Sequence, residues 1–189
     1  MKLFLSKFPG SLKEFKSLRV LVTDAMLTAL YVVAAFLLNI YLSPTTRIGF
    51  AFVFLMIAAK LYGPFSAMAI GGIGDVLQYI LAPRGNFSVG ITLCTILTGL
   101  VFGLWLYKEK PTVLRCTLAC LTVSLFVDAL LKTYVLKFLV GVSFRAEFVL
   151  RIGVVGLMFV IMAVVGFITL NGLEKITAGL RHNAPGLRR

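Results

Sequence analysis

Long apolar runs, separated by short polar turns, restrict this chain to a membrane fold. A helix that crosses the hydrocarbon core needs about 17–25 mostly apolar residues. Runs of this kind follow one another between residues 18 and 173. Only 14% of all residues are charged and 60% are hydrophobic, whereas a soluble domain has about 25% charged residues. The pattern predicts an all-α integral membrane protein with one compact bundle.

The apolar runs divide into six predicted spans. Gly63-Pro64 separates the short second span from the third, because a residue before proline leaves the helical region and proline is tolerated at a helix start. We expect residues 1–17 to form an amphipathic cytoplasmic segment on the membrane surface, and residues 174–189 to form a basic cytoplasmic tail. The predicted spans are about Leu18–Leu42, Ile48–Tyr62, Pro64–Leu81, Phe87–Tyr107, Pro111–Phe138 and Phe148–Leu173.

The lysines and arginines predict the orientation of the bundle. Most of the 19 basic residues lie in the terminal segments and in the second and fourth connections. By the positive-inside rule, both termini are then cytoplasmic. The basic residues responsible for the net charge of +12 flank apolar spans. We therefore expect a lipid bilayer as the partner and no nucleic acid. The basic residues left for the outer side are Arg47, Arg84, Lys132, Lys137, Arg145 and Arg151.

The third predicted span, GPFSAMAIGGIGDVLQYIL, contains small residues and one acid, Asp75. An ionised carboxylate at membrane depth costs about 2.5–3.5 kcal/mol on insertion scales. Such a residue therefore faces a cavity or a partner more often than lipid. The orientation above places Asp75 in the outer half of its helix, so it predicts an outward-facing binding site.

Other charged residues converge on the same outer region. Asp128 and Lys132 lie in the outer half of the fifth span, and Arg151 lies near the start of the sixth. The alternative is that these residues snorkel to the interface, with Asp128 and Lys132 forming a simple i, i+4 pair. Asp24 lies in the inner half of the first span, where we expect a structural ion pair with Arg19.

Small residues recur at four-residue spacing on several spans. Ala25 and Ala29 form one such pair and Gly99 and Gly103 another. These patterns let helices approach closely, either within the bundle or to another protein. The three cysteines lie in apolar runs and the single histidine, His182, lies in the polar tail. We therefore expect buried apolar thiols, no metal site, no cofactor and no catalytic residues.

Four segments resemble the substrate-binding S components of energy-coupling-factor (ECF) vitamin transporters. They are AMLTA on the first span, RIGF before the second, GPFSAMAIGGIGDVLQYIL on the third and FSVGITLCTILTGLVFGLWLY on the fourth. The resemblance covers about residues 18–173 and is greatest for the folate-specific branch. It implies a bundle of six transmembrane helices in the bacterial plasma membrane that binds its vitamin from outside, beneath the first, third and fifth loops.

The resemblance also implies partners. The bundle would dock on a transmembrane coupling protein driven by two cytoplasmic ATPases, with Ala25 and Ala29 facing the coupling protein. The chain has no GxxxxGK[ST] phosphate loop, so ATP would be used only by partner subunits.

Folate suits the charges of the predicted site. Guanidinium groups bind carboxylates bidentately, so Arg47, Arg84 and Arg151 are candidates for the glutamate end of folate. Three polar residues are candidates for the pterin edge and three aromatic residues for stacking on the ring. The polar candidates are Asp75, Gln78 and Asn86, and the aromatic candidates are Tyr79, Phe50 and Phe87.

Asp128 and Lys132 complete the predicted binding set. The resemblance would place amides in this part of the fifth span, so a different vitamin or a pterin-like ligand is an alternative. A stand-alone secondary transporter is a second alternative, but such folds show internal repeats, and GGIGD occurs once. An intramembrane enzyme is the third, and the chain has no recognisable nucleophile elbow.

Overall fold

The computed structural model describes residues 11, 15, 17–41, 47–83, 87–109, 112–140 and 144–183, with backbone only at 41, 47, 139–140, 144–151 and 177–183. This part of the chain is helical apart from one two-stranded ribbon, β1 (Ile40–Tyr41) and β2 (Arg47–Ile48). The helices are α1 (Leu18–Leu37), α2 (Phe52–Leu61), α3 (Pro64–Leu81), α4 (Val89–Leu106), α5 (Val113–Thr122), α6 (Lys132–Val140) and α7 (Phe144–Asn183), with a π-helical segment (Val123–Leu131) joining α5 to α6.

The helix lengths agree with a membrane bundle. Five stretches of described helix are long and apolar enough to span a membrane, and α2 is a shorter apolar helix. The third span begins and ends as the sequence predicts. The first span ends at Leu37 and not at Leu42, because Ile40 and Tyr41 pair antiparallel with Ile48 and Arg47. Helix α7 continues past Leu173 to Asn183.

The glycines of the fourth span pack inside the bundle. A Cβ atom on Gly103 would lie 2.2 Å from the Cα of Pro64, and one on Gly99 would lie 2.5 Å from the carbonyl oxygen of Ala67. Backbone atoms cannot move aside cheaply, so this contact between α3 and α4 requires glycine. The Gly99/Gly103 pattern therefore serves packing within the chain.

Helix α2 reaches only part of the way across the bundle. Its ten residues rise about 15 Å, about half of a hydrocarbon core of about 30 Å. A Cβ on Gly71 would lie 3.4 Å from a methyl group of Leu55. Since α2 and α3 are antiparallel, Phe52 then lies level with Gly74. Helix α2 thus begins at the depth of Asp75, and the ribbon lies beyond it, at what we call the hairpin end.

The opposite end, which we call the terminal end, is tied together by polar contacts. Ser11 is fully buried, donates to the carbonyl of Tyr62 at 2.8 Å, and accepts from the backbone N–H of Phe65 at 3.2 Å. Lys60 Nζ lies 3.2 Å from Glu174 Oε1, which joins α2 to α7. These contacts hold residue 11 and α7 against the bundle.

The expected ion pair between Asp24 and Arg19 is not formed. Asp24 is 5% exposed, and neither of its carboxylate oxygens has a hydrogen-bond partner in the described part of the chain. Arg19 is exposed on another side of α1. The prediction was wrong because residues five apart do not share a helix face, whereas those three or four apart do.

Candidate functional site

Asp75 and Thr92 form the centre of the candidate site. Asp75 lies on α3 and is 9% exposed. The hydroxyl of Thr92, on α4, donates to Asp75 Oδ2 at 2.8 Å. The close α3–α4 contact at Gly71 and Gly99 brings the two side chains together. Thr92 was not among the predicted binding residues, although it lies in the FSVGIT segment that the resemblance singled out.

Gln78 adds a second polar group one helical turn nearer the hairpin end. Its side chain is 8% exposed, and Oε1 has no hydrogen-bond partner among the described residues. A buried amide oxygen without a partner costs about 1–3 kcal/mol. Asp75 and Gln78 thus supply polar atoms on one side of α3, within an apolar bundle.

Two of the predicted aromatic residues contact each other. The rings of Tyr79 and Phe87 lie 5.0 Å apart between centroids, tilted by 55°, a favourable aromatic geometry. Phe87 is exposed by 42%, so this pair lies at the surface of the hairpin end. Phe50 is half-buried and packs against the hydrophobic core. The structure does not bring Phe50 together with the other two rings.

Asp128 and Lys132 form an ion pair with each other. This is the simple i, i+4 pair that was the alternative to a ligand-binding role. Their side chains are 19% and 31% exposed, so the pair is partly buried. A Cβ on Gly90 would lie 2.7 Å from a methyl group of Val135, which sets α4 and α6 in register. Thr92 then lies level with Lys132 and Thr133, since the two helices are antiparallel. The ion pair is therefore near the depth of Asp75, on the fifth span.

Several predicted residues cannot be placed at side-chain level. Arg84 and Asn86 lie outside the described residues. The backbone of Arg47 lies in β2, at the hairpin end, and that of Arg151 lies in α7. Their side chains are likewise outside the description. Of these four residues, the structure therefore places only the backbones of Arg47 and Arg151.

The beginning of α2 adds a favourable environment for anions. Ala51 precedes the helix and provides no side-chain cap. The N–H groups of Val53 and Phe54 donate instead to the carbonyls of Phe50 and Ala51. The helix dipole nevertheless gives the start of α2, at the depth of Asp75, a partial positive charge.

The first span presents its small residues outwards. Ala25 and Ala29 are exposed on α1, whereas Asp24 and Thr28 face inwards. The pattern on α1 is therefore available to lipid or to another protein, unlike the glycines of α4.

Among the described residues, no three His, Cys, Asp or Glu side chains are close enough to hold a metal ion. Cys94, Cys116 and Cys120 are buried thiols, as expected from the apolar runs around them. The described polar groups can bind and orient a ligand by hydrogen bonds and charge.

Comparison with protein families identifies one match across most of the chain. Residues 15–175 match the family described as "ECF-type riboflavin transporter, S component". This range contains all six helices that the sequence predicts.

The similar curated proteins are both described as folate transporters. Folate transporter FolT of Clostridium novyi (strain NT) is 30% identical over 150 residues, which cover 79% of this chain and 87% of that protein. Folate transporter FolT of Leuconostoc mesenteroides subsp. mesenteroides is 35% identical over 66 residues, or 35% of this chain and 36% of that protein.

A solved structure shares the fold. The crystal structure of FolT bound with folic acid superposes with a TM-score of 0.77 at 25% sequence identity. The match covers 82% of this chain and 95% of that chain. The predicted helical membrane bundle is thereby confirmed.

Proposed function

Since this chain belongs to the S components of energy-coupling-factor transporters, we propose that it is the subunit that binds folate and delivers it to a coupling module. S components are transporter subunits and not enzymes, and the protein is a multi-pass membrane protein. The observation that carries the choice of folate is the similarity to the Clostridium novyi folate transporter, which extends over 87% of that protein.

The charges of the site favour folate over riboflavin, which the family description mentions. Riboflavin is uncharged at neutral pH, whereas folate carries two carboxylates on its glutamate. Arg47 lies in β2, the ribbon strand that precedes α2, and we assign it, with Arg84 and Arg151, to the glutamate end.

The polar groups of α3 suit the pterin end. A pterin has a flat ring whose edge carries amide-like donors and acceptors. Asp75 accepts hydrogen bonds, and Gln78 has a buried carbonyl oxygen without a described partner. We assign these two residues and Asn86 to the ring edge. Tyr79 and Phe87 form an aromatic pair at the hairpin end that provides a stacking surface, and Phe50 is a further candidate.

The energy for uptake would come from partner subunits. We assign Ala25 and Ala29 to the docking surface for the transmembrane coupling protein, which two cytoplasmic ATPases would drive. Both residues are exposed, and small residues allow close approach of another helix. We also infer that both termini are cytoplasmic and that the hairpin end faces outwards.

Ligand identity and coupling are tested separately. Mass spectrometry of small molecules that copurify with the detergent-solubilised protein identifies the vitamin, and we expect folate or a reduced folate. Recovery of a flavin instead would overturn the folate assignment and leave the family intact. Uptake of labelled folate by cells should need coexpression of the coupling protein and both ATPases. Uptake by this chain alone would favour a secondary transporter.

Variants of α1 test the docking surface. Replacing Ala29 by Trp should abolish uptake with the full module while folate binding by the purified protein is unchanged. Leu30→Trp, also at an exposed position of α1, is the matched control and should retain uptake. Equal loss of uptake in both variants would contradict the assignment of the small residues.

A further inference from the structure

The short helix α2 lies among four longer helices. It packs against α1, α3, α4 and α7, but it is only ten residues long and begins at Phe52. Its four neighbours continue beyond this start, towards the hairpin end. A helix with its side chains is about 10–12 Å across. The place that α2 would occupy if it continued is therefore wide enough to hold a flat bicyclic ring beside the chain that enters from the ribbon.

Helix α3 turns two polar residues of the candidate site towards this space. Gly71 faces α2, since a Cβ atom on it would lie 3.4 Å from a methyl group of Leu55. Asp75 and Gln78 follow Gly71 by four and seven residues, and residues at these spacings share one helix face. Asp75 lies level with the start of α2 and Gln78 lies beyond it. Both side chains therefore border the space that α2 leaves open.

Helix α7 turns Phe159 towards the same space. Gly166 is buried and faces α2, because a Cβ atom on it would lie 2.6 Å from the methyl carbon of Met56. Phe159 precedes Gly166 by seven residues, about two turns, and so shares its face. The two helices run in the same direction. Phe159 lies about 10 Å outwards of Gly166, whereas α2 extends only about 6 Å outwards from Met56 to Phe52, so Phe159 lies beyond the start of α2.

The exposure of the side chains along this face of α7 increases towards the hairpin end. Leu170 and Met162 are exposed by 0% and 2%, whereas Ile152 is exposed by 56%. Phe159 lies between Met162 and Ile152. It packs against the hydrophobic core but is only partly buried. Its ring therefore keeps accessible surface that a ligand can contact.

Helices α3 and α7 border the space from two different sides. Leu55 and Met56 are adjacent in α2, so their side chains diverge by about 100° around its axis. Leu55 lies next to Gly71 of α3, and Met56 lies next to Gly166 of α7. Beyond the start of α2, one side of the space is thus polar and another is formed by the aromatic ring of Phe159.

We propose that Phe159 is a ligand-binding residue whose ring packs against the heteroaromatic ring of the bound vitamin, while Asp75 and Gln78 bind the polar edge of that ring. This inference rests on the proposed function, since it takes the vitamin to be folate. A pterin has apolar faces and a polar edge, and ligand pockets commonly combine an aromatic wall with a few polar groups. Two aromatic rings in offset or edge-to-face contact gain more than the area they bury.

Phe159→Leu tests the inference, because leucine keeps an apolar side chain and removes the aromatic ring. We expect isothermal titration to show folate binding about tenfold weaker, the order expected for the loss of an aromatic contact and part of its buried area. Phe159→Tyr keeps the ring and should bind folate within about threefold of wild type. Binding by Phe159→Tyr as weak as that by Phe159→Leu would contradict a contact through the ring.

Phe167→Leu is the matched control on the same helix. Phe167 is also partly buried and packs against the core, but it lies eight residues, about 12 Å, nearer the terminal end. The same substitution should lower the thermal unfolding temperature by a similar amount and leave folate affinity unchanged. An equal loss of affinity in both variants would reflect core packing in general and would overturn the inference.

Pteroic acid, which lacks the glutamate, locates the contact on the ligand. Phe159→Leu should weaken pteroate and folate by the same factor, whereas a loss confined to folate would place the contact at the glutamate and overturn the inference. Equal affinity of wild type and Phe159→Leu for folate would also overturn it and leave the proposed function standing. Failure of the wild type to bind folate at all would instead overturn the proposed function.

Discussion

The hydroxyl of Thr92 donates a 2.8 Å hydrogen bond to Oδ2 of Asp75, across the contact between α4 and α3. This bond holds the single acid of α3 in one orientation inside an apolar bundle. It depends on a close approach of the two helices, which the glycines of both make possible. Packing and the candidate site are therefore linked through these helices.

Removal of this bond should weaken the ligand site. In Thr92→Val, Asp75 loses a donor, so its carboxylate is less well oriented and less stabilised. We expect folate binding to weaken by about tenfold and the free energy of unfolding to fall by about 1–2 kcal/mol. Titration calorimetry and thermal unfolding in detergent measure the two effects. Thr95→Val, which removes a hydroxyl bonded to the carbonyl of Ile91, should leave affinity unchanged, and an equal loss there would contradict the role of Thr92.

The α3–α4 contact should not tolerate a methyl group. Gly99→Ala places a Cβ atom 2.5 Å from the carbonyl oxygen of Ala67, and overpacking of this kind costs about 1–3 kcal/mol. The unfolding temperature should fall. A Cβ atom on Gly153, in α7, would meet no described neighbour within 4 Å, so Gly153→Ala should be neutral or slightly stabilising. Equal unfolding temperatures for the two variants would show that the helices do not approach as described.

Asp24 should be a source of instability. Its two carboxylate oxygens are buried, and the neighbouring hydroxyl of Ser66 on α3 interacts with them but does not reach full hydrogen-bond geometry. Asp24→Asn keeps the shape and removes the charge, so we expect the free energy of unfolding to rise by about 1–3 kcal/mol. Asp128→Asn is the matched control, since it breaks the pair with Lys132 and should not stabilise. Destabilisation by Asp24→Asn would mean that its carboxylate is satisfied in the folded protein.

Lys60 should stabilise the terminal end. Its ammonium group contacts the carbonyl of Glu109 and the carboxylate of Glu174, and its side chain is only 12% exposed. Lys60→Met leaves both acceptors without this donor, and we expect a loss of about 1–3 kcal/mol. Arg115 also pairs with Glu109 but is 42% exposed, so Arg115→Met should cost less than about 1 kcal/mol. The reverse order of the two losses would contradict this view of the terminal end.

Asp75 and the bounds of α3 could be predicted from the sequence because both have strong local signals. A lone acid among small apolar residues is costly in a membrane, and Gly63-Pro64 defines a helix start. Thr92 gave no such signal, because a threonine in an apolar helix normally bonds its own backbone. Only the packing of α4 on α3 shows that its hydroxyl reaches Asp75.

Two further features required the three-dimensional structure. The apolar run of the first span continues through Ile40 and Tyr41, so composition could not distinguish helix from the ribbon that these residues form. The π-helical segment contains no proline or glycine, so no residue type marks the change in helical register. Helical periodicity in sequence assumes an unbroken α-helix, and that assumption fails here.

Titration of the purified protein with folate and with riboflavin tests the central claim most directly, with Asp75→Asn measured alongside the wild type. The account predicts that folate binds, that riboflavin does not bind measurably, and that Asp75→Asn remains folded while its affinity for folate falls at least tenfold. Binding of riboflavin in preference to folate, or an unchanged folate affinity in Asp75→Asn, would contradict it.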